Sequence, residues 1–281
     1  MNNRSMKRYF PIFALPTLIA FIVGFVVPFI LGVYLSFCKF TTVTDAQWIG
    51  FSNYTKIFSD GDFLHALGFT VLFTIVAVIT INVLAFVIAL ALTRGIKGTN
   101  IFRTVFFMPN LIGGIILGYI WQLIINGVLS YFGKTITFDA SYGFWGMIIL
   151  VNWQTIGYMM IIYVAGLQNI PGELIEAAQI DGASKWATLF KVKIPMMMSS
   201  ITICTFLTLT NSFKLFDQNL ALTAGAPSNK TQMLALNIYK TFYDRPGTEG
   251  VGQAKAVVFF LIVAAIALLQ LRATKSKEVQ Q

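Results

Sequence analysis

The sequence predicts an all-α integral membrane protein of six transmembrane helices. Two observations carry that prediction. Of 281 residues, 57% are hydrophobic and only 11% are charged, against roughly a quarter charged in soluble domains. The mean hydropathy is +0.75, and the apolar residues form long continuous runs. Short alternating segments would signal a membrane β-barrel, and these runs do not alternate. A span needs roughly 20 apolar residues and must be helical, because hydrocarbon offers no partner to an open backbone amide. Six such runs stand out, at 10–37, 69–92, 104–125, 144–167, 196–216 and 256–271.

In chain order, Pro11, Pro16 and Pro28 interrupt the first run, so a bend is expected there. That run is too long for a cleaved signal, and no small-x-small cleavage pattern follows it. A loop over 40–66, with Asp45, Trp48, Asp60, Asp62 and His65, should lie outside and be partly interfacial. The second run holds one strongly polar residue, Asn82, with Thr74 and Thr80. Met108-Pro109-Asn110 and Gly113-Gly114 open the third, and Gly114-x-x-x-Gly118 permits close helix packing. The segment Gly127 to Thr135 imitates a phosphate-binding loop, but five residues separate its glycines where four are required. It is read as a turn, so ATP hydrolysis must come from a separate subunit. The largest outer loop covers 217–252. Three segments follow: 1–66 (tail, first span and outer loop), 67–272 (transmembrane core) and 273–281 (tail).

Net charge is +9, and its distribution orients the chain. Arg4, Lys7 and Arg8, then Arg94, Lys97 and Arg103, then Lys185, Lys191 and Lys193, then Arg272, Lys275 and Lys277 share one side of a six-span alternation. The positive-inside rule places that side, with both termini, in the cytoplasm. Cys38 and Cys204 are the only cysteines and sit in different parts of the chain, which removes disulfide, zinc and thiol-catalysis readings. No paired carboxylates occur in the spans, and His65 reads as solvated rather than catalytic.

One cytoplasmic segment is unlike the rest. Glu176-Ala177-Ala178, three residues, Gly182, nine residues, then Val192-Lys193-Ile194-Pro195 lie between the fourth and fifth spans. Pro171 resets the chain after span four, and 173–180 is expected to form a short helix with Glu173 and Glu176 near its N-terminus. Asp181-Gly182 should turn the chain, and Ser184 should cap a second short helix presenting Trp186, Leu189 and Phe190. Ala177, Ala178 and Ala183 are small enough for a partner to close over the turn.

This segment resembles the EAA loop of ATP-binding-cassette (ABC) importer permeases. Val192 and Ile194 replace the family's Ile and Leu. Asn152-Trp153, Ala165 to Pro171, and Phe216-Asp217 with Leu222 to Pro227 resemble its carbohydrate-uptake branch, the maltose-type, binding-protein-dependent type I importers. Ala226 replaces the usual glycine, and Met196–Met198 stand where a second proline is common. The resemblance implies the type I ABC importer transmembrane-domain fold. It also implies that Glu176, Ala177, Ala178, Asp181, Gly182, Ala183, Trp186 and Phe190 dock a cytoplasmic ATPase.

Candidate pathway residues come from polar side chains in the spans, which should face an interior or a wet cavity. They recur as Tyr119, Gln122 and Asn126 in span three, and as Asn152, Thr155 and Tyr158 beside Trp153 and Gln154 in span four. Span five supplies Thr208, Asn211, Ser212 and Lys214, leading to Asp217 and Gln218. Interhelical hydrogen bonding is the ordinary alternative for each. The resemblance narrows the set to Trp153, Gln154, Thr155, Tyr158, Thr208, Asn211, Ser212, Leu215 and Asp217. Lys214 is expected to snorkel or to pair with Asp217; contact with an anionic sugar is the other reading.

The resemblance implies a non-enzymatic permease subunit in a bacterial cytoplasmic membrane, without a cofactor of its own. ATP and Mg would be held by the ATPase. A second homologous permease, an external or periplasmic solute-binding protein and a sugar would complete the system. Glycerol phosphate or a polyamine as solute, or a non-transporting scaffold, are the alternatives. No nucleic acid is expected.

Overall fold

The structure, a computed structural model, describes residues 3–244 and 246–275. Arg245, Lys277 and the tail from 276 onward lie outside the described residues, as do the side chains of Arg4, Lys7, Arg8 and Lys275. Helices α1 (Asn3–Phe21) and α2 (Val27–Leu35) are joined by a π-helical turn at Ile22–Val26. Strand β1 (Cys38–Lys39), strand β2 (Gln47–Trp48) and helix α3 (Ser52–Phe58) follow. Then come α4 (Gly61–Leu92), α5 (Thr99–Phe107), α6 (Gly114–Ser130) and α7 (Ala140–Gln168). The hairpin elements are α8 (Gly172–Ile180), α9 (Lys185–Thr188), a π turn at Leu189–Lys193 and α10 (Ile194–Met196). The chain ends with α11 (Met198–Phe213), α12 (Asp217–Leu222), α13 (Leu234–Tyr243) and α14 (Glu249–Lys275).

Four stretches are unbroken and apolar enough to cross a bilayer: Ile12–Leu35, Gly61–Leu92, Ala140–Gln168 and Glu249–Thr274. Two further spans are bent pairs, which brings the total to six. Thr99–Leu111 meets Gly114–Ser130 at 102°, and Lys185–Met196 meets Met198–Phe213 at 72°. Span three is therefore not the single rod expected from the sequence, whereas the bend at Met197 falls at the start of the fifth run and leaves Met198–Phe213 as one helix. The cause of the first break is local: Pro109 lacks a donor, and Ile112 and Gly113 take extended conformations. The first run continues through Pro16 and Pro28 as one span, with a π-helical turn at Ile22–Val26 just before Pro28.

The chain forms two compact units. The first comprises residues up to Gly61 together with Ile238–Phe260. Its β1–β2 ribbon pairs Cys38 with Trp48. Asn53 donates to the carbonyls of Ser36 and Cys38 at 3.0 and 2.9 Å. Lys255 is 1% exposed, and its Nζ lies 2.7 Å from Asp60 Oδ2. A buried ammonium is tolerated only with such a partner. Asp45 Oδ1 accepts from the amides of Thr41 and Thr42, which holds its carboxyl below the usual range.

The second unit spans Asp62–Asn237 and residues from Leu261 onward. Its core packs Phe73, Ala77 and Ile81 of α4 against Met147, Leu150, Met159 and Met160 of α7 and Cys204 of α11. Glycines set the closest approaches. A Cβ on Gly157 would lie 1.8 Å from the carbonyl oxygen of Phe106, so α7 and α5 cross there only because Gly157 has no side chain. Gly114 and Gly118 of α6 face Asp217 and Ala221 of α12. The GxxxG spacing thus serves packing within this chain. The N-terminus of α7 is capped by Asp139, which accepts from the hydroxyl and the amide of Ser141 and is held below the usual carboxylate range.

The segment after span five, expected to be a loop, is structured, with helices α12 and α13. Asn219 of α12, fully buried, donates to Thr231 O at 2.8 Å and accepts from the Met233 amide at 2.9 Å. His65 is the other correction. It lies on α4, not in a loop, with Nε2 3.0 Å from the carbonyl of Lys230.

Candidate functional site

Two features of the second unit stand out. The first is a cavity of about 380 Å³ built where α4, α7, α11 and α12 meet the break between α5 and α6. Helix periodicity explains its walls. Val151, Gln154, Thr155 and Tyr158 line it from α7 at i, i+3, i+4 and i+7. Thr208, Asn211 and Ser212 line it from the C-terminal part of α11, and Leu215 follows two residues past that helix's end. Asn110 contributes from the break, with Ile81 from α4, and Lys214, Phe216, Asp217 and Gln218 complete the lining.

The polar groups are organised. Gln218 donates to Gln154 Oε1 at 2.8 Å, and Gln154 donates to the carbonyl of Ile112 at 3.2 Å. That carbonyl belongs to the break in the fifth and sixth helices, so the broken span is held open by a side chain from α7. Among the described residues, Lys214 and Asp217 make no ion pair with each other, although both line the cavity. Pairing, one of the two expectations for Lys214, is therefore absent; α11 ends at Phe213 and α12 begins at Asp217, so the two residues do not share a helix.

Eight of the nine candidate pathway residues line this cavity: Gln154, Thr155, Tyr158, Thr208, Asn211, Ser212, Leu215 and Asp217. Trp153 does not. It is 44% exposed and stacks edge-on against Trp121. The reason is its position about 100° around α7 from Gln154. Span three's polar residues also fall outside the lining. Gln122 donates to Leu222 O at 2.9 Å, Asn126 accepts from the Ile136 amide at 2.8 Å, and Tyr119 is exposed. Asn152 is turned to α4, where it donates to Thr80 Oγ1 at 2.9 Å. Sequence reasoning missed Asn110 as a wall residue. The signal was present in Pro109 and Gly113-Gly114, because an interrupted apolar segment marks a discontinuous span, and binding sites favour such breaks.

The second feature is the hairpin. Helix α8 ends in a Schellman closure: Ala183 N–H donates to Ala178 O at 2.9 Å and Gly182 N–H to Gln179 O at 3.0 Å. Gly182 has φ +74°, the left-handed conformation that the closure requires. Ser184 Oγ then accepts from the Ala187 amide at 3.1 Å and caps α9. The result presents large apolar groups to the outside. Trp186 is 71% exposed and stacks on Phe190, which is 60% exposed. Glu176, Ala177 and Asp181 are exposed around them, with Ala178 and Ala183 partly so. Glu173 alone of the two glutamates falls in the first turn of α8.

Comparison with known proteins shows the family and the fold. Residues 88–274 match the family described as binding-protein-dependent transport system inner membrane component. The chain is 42% identical over 278 residues to the probable starch degradation products transport system permease protein AmyD of Thermoanaerobacterium thermosulfurigenes, covering 96% of this chain and 94% of that one. It is 32% identical to the multiple sugar-binding transport system permease protein MsmF of Streptococcus mutans, covering 95% of each. In fold it matches a chain of a bacterial alginate ABC transporter in complex with an alginate pentasaccharide-bound periplasmic protein. The TM-score is 0.80 at 20% identity, over 96% of this chain and 95% of that one. This multi-pass membrane chain, with the type I ABC importer transmembrane fold, belongs to the binding-protein-dependent transport system inner membrane components and is an ABC transporter permease.

Proposed function

We propose that the chain forms half of the translocation pathway of an ATP-driven importer for a sugar or oligosaccharide. The observation that carries this reading is the cavity: amides, hydroxyls and the aromatic rings of Tyr158 and Phe216 gathered inside a membrane protein. Amide and hydroxyl groups bond sugar hydroxyls, and an aromatic ring stacks on their CH faces. A volume of about 380 Å³ is within the usual range for small-ligand sites. The sugar-related names of the two relatives support the same class of solute.

The remaining parts of the reading follow from the hairpin. Its Trp186 and Phe190 face seats in a groove of a cytoplasmic ATPase, which binds ATP and Mg and does the hydrolysis; this chain carries no cofactor. A sibling permease supplies the other half of the pathway, and a solute-binding protein delivers ligand from outside. Both termini face the cytoplasm, following the basic residues of the inner loops. ATP closes the ATPase pair, the hairpins approach, and the cavity opens outward. Delivered ligand must in turn favour ATPase closure.

The test is uptake by proteoliposomes containing the complete complex, ATP on the hairpin side and ligand-loaded binding protein on the other. Labelled oligosaccharide should accumulate, and unlabelled sugars should compete where glycerol phosphodiesters and polyamines do not. Competition only by the latter would replace the solute class, and a complex without ATP-dependent uptake would leave a scaffold.

A further inference from the structure

Helix α4 has 32 residues and one amide side chain in its apolar length, Asn82. A buried amide in a membrane is costly unless bonded, and the cavity does not use this one. It is nonetheless fully engaged. Asn82 Nδ2 donates to Thr208 Oγ1 at 2.9 Å and to its own helix at Val78 O, 2.8 Å. Its Oδ1 accepts from the Tyr163 hydroxyl at 2.6 Å. Tyr163 is 2% exposed and Thr208 1% exposed, so water does not compete for these bonds.

The three residues lie on three helices whose order in the chain is informative. Tyr163 is five residues before the end of α7, which leads directly into α8 of the hairpin. Thr208 is on α11, the helix that leaves the hairpin, and it lines the cavity. Asn82 therefore ties together, at the level of the cavity, the two helices between which the hairpin is slung. Without it, α7 and α11 would meet there through apolar surface and the weak thiol contact of Cys204 Sγ with Met159 O at 3.8 Å, whereas a directed amide bridge fixes one register.

We propose that Asn82 is a positioning residue, which through Tyr163 and Thr208 makes the cavity wall move with the hairpin. The proposal rests on the transport reading above. It places the coupling in a side chain that touches neither solute nor ATPase. Thr208 keeps its hydroxyl bonded to Cys204 O at 2.8 Å, so Asn82 sets where the wall stands rather than whether the hydroxyl is satisfied.

The experiment measures ATP hydrolysed and solute imported by the same proteoliposomes, for the intact complex and for Asn82→Leu and Tyr163→Phe. Tyr163→Phe removes one oxygen and keeps the ring, so it assembles even if Asn82→Leu does not. The expected result is retained ATPase binding and ligand-stimulated hydrolysis, with solute per ATP falling on the order of threefold to tenfold, the shift expected for one lost interhelical bond in a membrane. A purely structural role would lower both rates in proportion by lowering the amount of active complex. An unchanged ratio in Tyr163→Phe, whether both rates fall together or neither does, overturns the proposal. If the intact complex itself imports nothing, the transport reading fails instead, and the two failures are distinct.

Discussion

The hairpin and the cavity are built by opposite violations of the same rule. At the hairpin, Trp186 and Phe190 stand exposed beside the turn between the fourth and fifth spans. At the cavity, Asn211, Ser212, Lys214, Asp217 and Gln218 collect inside a membrane protein. Each region puts the wrong chemistry for its solvent on display, and each does so from rigid elements. The Schellman closure fixes the hairpin turn, and the i, i+3, i+4, i+7 face of α7 fixes a cavity wall. In the proposed function a protein partner is met with apolar surface and a hydroxylated solute with polar surface, so polarity measured against the local solvent, rather than polarity itself, is the common signal.

The change with the largest expected effect removes both regions at once. Gly157→Ala drives a Cβ into the Phe106 carbonyl. Overpacking of this kind costs about 3 kcal/mol or more, and the chain should fail to accumulate in the membrane, as quantitative immunoblotting will read. Gly182→Val comes next and separates the two regions. Nothing lies within 4 Å of a Cβ there, so the fold has room. The left-handed backbone resists a branched residue by roughly 1–2 kcal/mol, and the turn that presents the aromatic pair is lost. Membrane levels should hold, while ATPase retention on purification and uptake fall by more than about tenfold, as for a hot-spot contact. Normal retention with normal uptake would contradict the docking role.

A smaller effect sharpens the cavity. Tyr158→Ala should raise the KM for uptake by about threefold to tenfold, the loss of one aromatic stack, and leave ATPase retention untouched. Trp153→Ala should change that KM less, because Trp153 lies off the cavity wall. Equal or reversed effects would return Trp153 to the pathway. The smallest effect is a pH response away from both regions. Asp45 has a folded pKa below its unfolded value, because the amides of Thr41 and Thr42 hydrogen-bond its charged form. That contribution is fully present above the unfolded pKa and is lost as pH falls through the folded one. The protection factors of the Thr41 and Thr42 amides, corrected for intrinsic exchange, should therefore be constant from about pH 5 upward and fall only below about pH 4.

Much of this contrast was legible in the sequence. The spacing from Glu176 to Pro195 located the hairpin, and Asp181-Gly182 and Ser184 gave its turn and its cap, because these are local signals read within a few residues. The polar faces were partly legible for the same reason: Thr155 and Tyr158 share a helical sector whatever surrounds them, but Asn152, read into that sector, turns to α4, and Gln154, read as its flank, lines the wall. What the sequence did not give was tertiary. Whether Gln122 and Asn126 face a cavity or a neighbouring backbone depends on where α12 and Ile136 lie, and hydropathy is silent on that. Lys214 and Asp217 are three apart, a helical pairing distance, but the chain is not one helix between them. Trp153 was carried over from the maltose-type resemblance, which does not fix the rotation of α7. The break at Ile112-Gly113 was written in Pro109 and Gly113-Gly114, yet continuous hydropathy across it disguised two helices as one.

The measurement that bears most directly on the hairpin as an engine mount is cysteine reactivity at its tip. Cys38 and Cys204 are both buried, so Ile180→Cys, at a side chain 86% exposed, supplies the reactive thiol. A membrane-impermeant maleimide should leave this position unlabelled in intact cells and label it in inverted vesicles stripped of peripheral subunits, and a thiol-to-amine cross-linker should join it to an ATP-hydrolysing subunit. Labelling from outside intact cells, or cross-links only to proteins without ATPase activity, would contradict the proposed mechanism.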